Sequence, residues 1–218
     1  MINILKYLIV IICEVLIIPS GNLIEEKFGK GEIARKWGHV LSGTILWTLS
    51  YLLFGNSIHL FLLAALFTVV STSLTTTGNL ESDKRPDDEL NNLKSTPLQG
   101  IGHMIFAGLS VFNPVFLLPY GMAVIALCIG DAAAALIGSK FGKYSIKITH
   151  NKSLIGFIAF VVAASLGSLL PMTVLNIMIP IWKILIIMII SALVELFSGD
   201  WDNLLIQLAA GFLTFILL

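Results

Sequence analysis

Asp131 stands in the run Gly130-Asp131-Ala132-Ala133-Ala134-Ala135, where every neighbour is small and uncharged. Glu195 closes a second apolar run, and Asp202 follows shortly after it. A carboxylate at the centre of a membrane-buried helix costs about 2.5–3.5 kcal/mol on insertion scales, so acids in such places usually have a functional reason. Clustered carboxylates in a low-dielectric setting repel one another, and either keep a proton or hold a cation. Oxygen-only ligands beside a basic loop suit Mg²⁺ with a phosphate, because that ion retains water and shares its shell with phosphate oxygens. Asp131, Glu195 and Asp202 are therefore the candidate metal ligands. Glu14, in the first apolar run, reads instead as a residue paired with a base inside the bundle.

Spacing adds to this. On a helix, Asp131, Ala134, Ala135 and Gly138 share one face, and three small residues around an acid let a neighbouring helix or a ligand come close to the backbone. The same small residues also fit plain helix packing. Ser191, Glu195 and Ser198 form a polar stripe on a second helix, and Arg35, His39 and Ser42 form one on a third. A loop then runs Gly138-Ser139-Lys140-Phe141-Gly142-Lys143 toward Thr149-His150-Asn151-Lys152-Ser153. Glycines let backbone N–H groups approach an anion, and lysines supply point charges for it. The loop is not a P-loop: Gly138 and Gly142 are one residue too close, Tyr144 replaces the Ser/Thr, and an apolar run precedes it instead of a strand.

The elements that must position these groups follow from composition. Of 218 residues, 57% are hydrophobic and 12% charged, against roughly 25% charged in ordinary soluble domains, and the mean hydropathy is +0.95. Thirteen basic residues balance thirteen acidic ones, which excludes a nucleic-acid binder, since that needs a basic surface. Cys13 and Cys128 both lie inside apolar runs and offer neither a disulfide framework nor a zinc site. Apolar runs lie near 2–19, 37–54, 58–77, 99–118, 120–138, 154–175, 178–197 and 203–218. At about 20 apolar residues per crossing, the expectation is an all-α, polytopic transmembrane helical bundle of about seven to eight spans, with residues 1–218 forming one integral membrane domain. Residues 1–21 have some features of a secretory signal, but Glu14 interrupts their apolar core and many further runs follow, so they read as the first helix.

Eleven of the thirteen basic residues fall in three alternate loops, at 22–36, 78–98 and 139–153, while the connections near 55–57, 113–119 and 171–177 hold none. The positive-inside rule puts those loops in the cytoplasm and the N-terminus outside. By parity the turn near 198–202 joins them, so all the strongly polar segments share the cytoplasmic face of a cell membrane.

Four stretches together resemble the CTP-dependent lipid kinase family, which groups phytol kinases, dolichol kinases and the CTP-dependent diacylglycerol kinase and is related to the CDP-diacylglycerol synthases. They are Ala34-Arg35-Lys36-Trp37-Gly38-His39, Gly130-Asp131-Ala132-Ala133-Ala134 through Gly142-Lys143, Lys152-Ser153-Leu154-Ile155-Gly156, and Glu195-Leu196-Phe197-Ser198 with Asp202-Asn203. Arg85 to Leu98, ending Lys94-Ser95-Thr96-Pro97-Leu98, resembles the phytol-kinase type more weakly. The chain departs from the family at Ile155, where Glu is frequent, at Phe157, where Ser or Thr is frequent, and at Gln207, where Pro is frequent.

The resemblance implies CTP as phosphoryl donor and a membrane-dissolved lipid alcohol (polyprenol, phytol or diacylglycerol) as acceptor. Phosphoryl transfer needs positioning and charge neutralisation more than covalent chemistry. The expected assignment gives Asp131 and Asp202 to Mg²⁺, with Glu195 as a further ligand or support. Lys152, backed by Arg35 and Lys36, neutralises the triphosphate, with Lys143, Ser153 and the glycines Gly138 and Gly142 around it, and Asn203 orients a ligand. His39 or one of the acids takes the alcohol proton. Two rivals use the same residues: a phosphatidate cytidylyltransferase attacking the α-phosphorus of CTP, and a small ion-coupled carrier using Asp131 and Glu195. Against the carrier, the acids adjoin basic loops and no internal repeat is evident.

Overall fold

The computed structural model describes residues 2–28, 32–55, 58–76, 86–149 and 152–218. Among them the chain is helical almost throughout and holds no strand, only an isolated antiparallel bridge between Lys147 and Ser153. Four long helices come first: α1 (Ile2–Phe28), α2 (Glu32–Phe54), α3 (Ile58–Thr76) and α4 (Pro86–Phe112). The second half holds α5 (Leu117–Ile125), α6 (Ala132–Phe141), α7 (Leu154–Gly167), α8 (Leu169–Leu175), α9 (Ile181–Phe197) and α10 (Asp202–Leu217). The all-α class expected from the sequence is what the structure has.

Several connections differ from the hydropathy reading. The expected loops at 22–36 and 78–98 are largely helix, because α1 runs on to Phe28, α2 begins at Glu32, and α4 begins at Pro86, a residue suited to a first helical position. The connection expected at 113–119 shrinks to Asn113. Its backbone is extended, its side chain accepts a hydrogen bond from Val115 N at 3.1 Å, and Pro114 restarts the helix at once. Asn176, in the left-handed conformation at φ 55°, closes α8, and Pro180 sets the start of α9.

Two stretches, Pro114–Tyr144 and Leu154–Leu175, are long and apolar enough to cross a membrane by length and composition. The first is not uniform. Residues Ala126–Asp131 form a π turn between α5 and α6, a one-residue insertion that is frequent at functional sites. It ends on Asp131 and re-phases that residue against everything before it. From Ala132 the spacing is α-helical again, so Asp131 does share a face with Ala134, Ala135 and Gly138.

All nine residues of α5 are buried, and this helix forms the axis of the molecule. On one side it meets α8 and α10, while α7 and α9 pack on the π turn, and Met122, Phe160, Met188 and Ile206 belong to the shared core there. On the other it meets α2 and α4, with α3 packed behind α4, and Trp47, Leu60, Phe106 and Tyr120 share that core. Beside this apolar core, several polar groups are buried and many large apolar side chains are exposed. Lys36, Asp131, Glu195, Asn203 and Gln207 are buried, while Leu5, Leu16, Val69, Leu166, Ile181 and Ile216 face outward.

Helices α6 and α7 approach closely because glycines line their contact. A Cβ built on Gly156 would stand 3.2 Å from the backbone oxygen of Ala134, and one on Gly138 would meet Gly156 Cα at 3.6 Å. Gly38 on α2, by contrast, has nothing within 4 Å of such an atom. Gly156→Leu is therefore expected to lower stability by roughly 1–3 kcal/mol, since a backbone oxygen cannot yield as a side chain can. Gly38→Ala should leave stability unchanged or raise it by about 0.5–1 kcal/mol, the helical cost of glycine. Thermal unfolding of both variants in one detergent checks the contrast, and equal effects would contradict it.

Candidate functional site

The site gathers where the π turn, α2, the loop after α6, and the α9–α10 turn meet. Gly43 fixes the phase of α2, because a Cβ there would lie 2.1 Å from the Cys128 sulfur inside the π turn. One and two turns earlier on that face stand His39 and Lys36. Lys36 donates to Asp131 Oδ2, and both side chains are about 5% exposed. His39 lies close enough to act on the Asp131 charge. Sequence reasoning put Arg35, not Lys36, on the polar stripe with His39 and Ser42, and gave both the same reserve role. Lys36 makes the contact, and the side chain of Arg35 lies outside the described residues, as do His150, Asn151 and Arg85.

A second pair forms beside the first. Lys152, just ahead of α7, donates to Glu195 Oε1 of α9. Glu195 is buried, whereas the Lys152 side chain is about a third exposed. The two pairs are coupled: Glu195 also feels the charges of Asp131 and Asp202, and Asp202 feels Asp131, Lys152 and Lys36. Asp202 is half-buried at the start of α10, where its carboxylate accepts from Asn203 N at 2.7 Å. Asn203 is buried, and its carbonyl accepts from Gln207 Nε2 at 2.9 Å. That same amide donates to Gln99 O of α4 at 2.9 Å. Gln207, at the position where the resembling family often has Pro, thus ties α10 to α4 one turn below the site. Ser191 turns its hydroxyl back to Ile187 O and takes no part in the site.

Next to Glu195 opens a cleft of about 310 Å³ between α6 and α7. Ala134, Gly138 and Gly156 form its floor, and Lys143, Lys147 and Lys152 stand around it. At the start of α7, beyond the loop glycines for which anion contacts were expected, the backbone N–H groups already have partners. Leu154 N donates to Ile146 O at 2.9 Å, Ile155 N to Ser145 Oγ at 3.1 Å, and Gly156 N to Ser153 Oγ at 3.4 Å. Ser153 is a helix cap, although it also touches the cleft. A Cβ on Gly142 would come within 2.9 Å of Ser153 Oγ, so Gly142 serves to let the loop close on α7. The charges lining the cleft are those of the three lysines and of Glu195, which is paired with Lys152.

Lys147 was not among the site residues expected from sequence. Its signal was alternation: Tyr144, Ile146 and Ile148 turn outward, at 79%, 70% and 39% exposure, and Lys147 between them lines the cleft. Such period-two alternation marks an extended segment with two unlike faces, and from Ser145 the backbone is extended.

Among the described residues, no three of His, Cys, Asp and Glu stand together in a way that would hold a metal ion. Asp131, Glu195 and Asp202 lie near enough for their charges to act on one another, but they form no such group. Asp131 and Glu195 each already carry a lysine, so the donor set as arranged does not fit a bound Mg²⁺. No family model matches the chain, and comparison with curated proteins and with solved structures finds no match either.

Burial alone would lower the Lys152 pKa, but the Glu195 carboxylate, with Asp131 and Asp202 behind it, more than reverses this and raises it above the ordinary lysine value of 10.5. A base whose folded pKa is raised contributes its full stability below the unfolded pKa and loses it only as pH climbs through the folded value. On the alkaline side the Lys152–Glu195 pair should therefore hold until about pH 10.5 and fade beyond it, while on the acid side it is lost once Glu195 takes a proton. Glu195→Gln removes the opposing charge and leaves burial to act. Amine acylation of Lys152, followed by peptide mass spectrometry over a pH series, should show the variant reacting at lower pH than the wild type. Identical profiles would contradict the pairing.

Proposed function

We propose that this chain is a multi-pass membrane enzyme that transfers the γ-phosphoryl group of CTP to the hydroxyl of a membrane lipid alcohol at the cytoplasmic face. The observation that supports it best is the lysine-lined cleft beside two buried lysine–carboxylate pairs at one end of an apolar bundle. Ionisable groups are retained inside such bundles when they serve substrate or ion, and a cleft walled by Lys143, Lys147 and Lys152 suits a polyphosphate. CTP as the donor, and a polyprenol, phytol or diacylglycerol as acceptor, come from the resemblance of the four motifs.

A bundle of about seven to eight spans accounts for the outward apolar surface of α1, α3, α7 and α9 and for the inward charges. In that setting Tyr144, Ile146 and Ile148 of the loop lie at the headgroup level, where amphipathic groups gather. A second cleft, between Pro97 and Leu98 of α4 and Asp200 and Trp201 of the α9–α10 turn, opens next to Asp202. It is a lateral way in for the lipid, while the nucleotide enters from water on the lysine side.

Lys143, Lys147 and Lys152 hold the triphosphate and compensate the charge that builds up on it. The lipid oxygen attacks the γ-phosphorus, the bond from that phosphorus to the bridging oxygen breaks, and CDP leaves. The alcohol proton passes to His39 or to a site carboxylate. Lys36 holds Asp131 in place, and Asn203, tied through Gln207 to α4, orients what binds beside Asp202.

CTP labelled at the γ-phosphate should mark the lipid when membranes containing the protein are given a panel of lipid alcohols. Asp131→Asn should lower that rate, per folded molecule, by about 10²–10³-fold, the usual size for loss of one transition-state contact, beyond the loss of folded protein that stranding Lys36 brings. Label entering lipid from the α-phosphate instead would identify a cytidylyltransferase. Ion flux without nucleotide turnover would identify a carrier.

A further inference from the structure

We propose that the loop after α6 is a seat for anionic phospholipid of the cytoplasmic leaflet, with one side in the headgroups and the other in the cleft. This deepens the membrane placement proposed above by naming the lipid chemistry. It rests on that placement and not on CTP as the donor.

Charge is the first argument. Between Asp131 and Glu195 the chain has no acidic residue, and the loop carries Lys140, Lys143, Lys147 and Lys152. Lys152 is taken by Glu195, but among the described residues no carboxylate pairs with the other three. Lys140, Lys143 and Lys147 are all exposed. The cleft is lined by Lys143, Lys147 and Lys152 and not by Lys140, so a polyphosphate held there does not account for the whole set. An anionic leaflet does, since it favours each basic group near its surface by about fivefold.

The apolar groups of the loop point the same way. Phe141, Tyr144, Ile146 and Ile148 are exposed beside these lysines. Lys140 Nζ stands 5.3 Å from the centre of the Phe141 ring, and Lys143 Nζ 4.8 Å from that of Tyr144. A ring with an ammonium group beside it fits the depth where acyl chains meet phosphates, because the ring sinks inward while the ammonium group reaches the phosphate. Four side chains are too few for a stable protein contact, which takes about 20–30 residues a side. A leaflet receives them singly.

The backbone keeps the two sides apart. Ile155 N donates to Ser145 Oγ at 3.1 Å, Leu154 N to Ile146 O at 2.9 Å, and Ile148 N to Lys152 O at 3.0 Å. These bonds hold the extended segment along the chain that leads into α7. Alternation then turns Ile146 and Ile148 outward and sets Lys147 at the cleft. Lipid on the outer side therefore fixes Lys147 on the inner one, and ties the cleft to the leaflet.

The test places a nitroxide at Ile146→Cys or at Lys147→Cys of the full chain, in a Cys13→Ser background, since Cys128 is fully buried. Nanodiscs of phosphatidylcholine alone are compared with nanodiscs that also hold phosphatidylglycerol. Collisions with oxygen and with a water-soluble nickel complex, read by electron paramagnetic resonance, give the depth of each label. With phosphatidylglycerol present, the label at 146 should meet oxygen and escape the nickel complex, while the label at 147 meets the nickel complex. With phosphatidylcholine alone, both should lie toward water. Lys140→Gln should cut the ratio of seated to unseated label at 146 by about fivefold, the contribution of one lysine near an anionic surface. A label at 146 with the same depth in both lipids overturns the proposal, and so does equal depth at 146 and 147. Burial of the label that grows with protein concentration in detergent identifies a second copy of the chain as the occupant, and overturns it too. No nucleotide enters the measurement, so its failure leaves the phosphoryl-transfer reading untouched, and failure of that reading leaves the seat untouched.

Discussion

A charge inside an apolar bundle needs a countercharge at hydrogen-bond distance, and the pair between Lys36 and Asp131 meets that need where no water can. Its parts come from opposite halves of the chain, ninety-five residues apart. The pair therefore only exists if α2 and the π turn are pressed together in one phase. Breaking one side of a buried pair costs about 3–5 kcal/mol, because the remaining charge is stranded, so the geometry of every element around it is under constraint. The Lys152–Glu195 pair repeats the arrangement at the rim, where one partner reaches the cleft.

The rest of the structure serves that alignment. Gly43 lets α2 reach the Cys128 sulfur, which sets Lys36 and His39 toward Asp131. Gly156 and Gly138 let α6 and α7 approach so closely that the cleft has a backbone floor, and Gly142 lets the lysine-bearing loop fold back on the Ser153 cap. Gln207 holds α10, and with it Asp202 and Asn203, against α4. The paired lysines and carboxylates thus rest on helices brought together by small-residue contacts.

The acids were legible in the sequence because a carboxylate in an apolar run is too costly to bury without a partner or a task, and Asp131 and Glu195 are each buried against a lysine. Lys36 was harder to rank above Arg35, since adjacent residues on a helix point apart by about a quarter turn or more and only the contact at Gly43 settles the phase. The π turn left no mark in hydropathy. The connections were misplaced where a single residue ends a helix, as at Asn113, because a hydropathy window averages over its neighbours. Reading the acids as a metal set followed from charge type alone. Spacing along the sequence cannot reveal that lysines from α2 and from the loop before α7 reach those same carboxylates first.

The Lys36–Asp131 pair is therefore the first thing to measure. Thermal unfolding in one detergent of Lys36→Met, Asp131→Leu and the double variant forms a closed cycle whose coupling isolates the pair. Each single change should cost about 3–5 kcal/mol by leaving one buried charge alone. The double change should recover most of that loss, since two apolar side chains of similar size fill the same space. Losses that simply add would show that the two groups do not depend on each other, and would contradict the account.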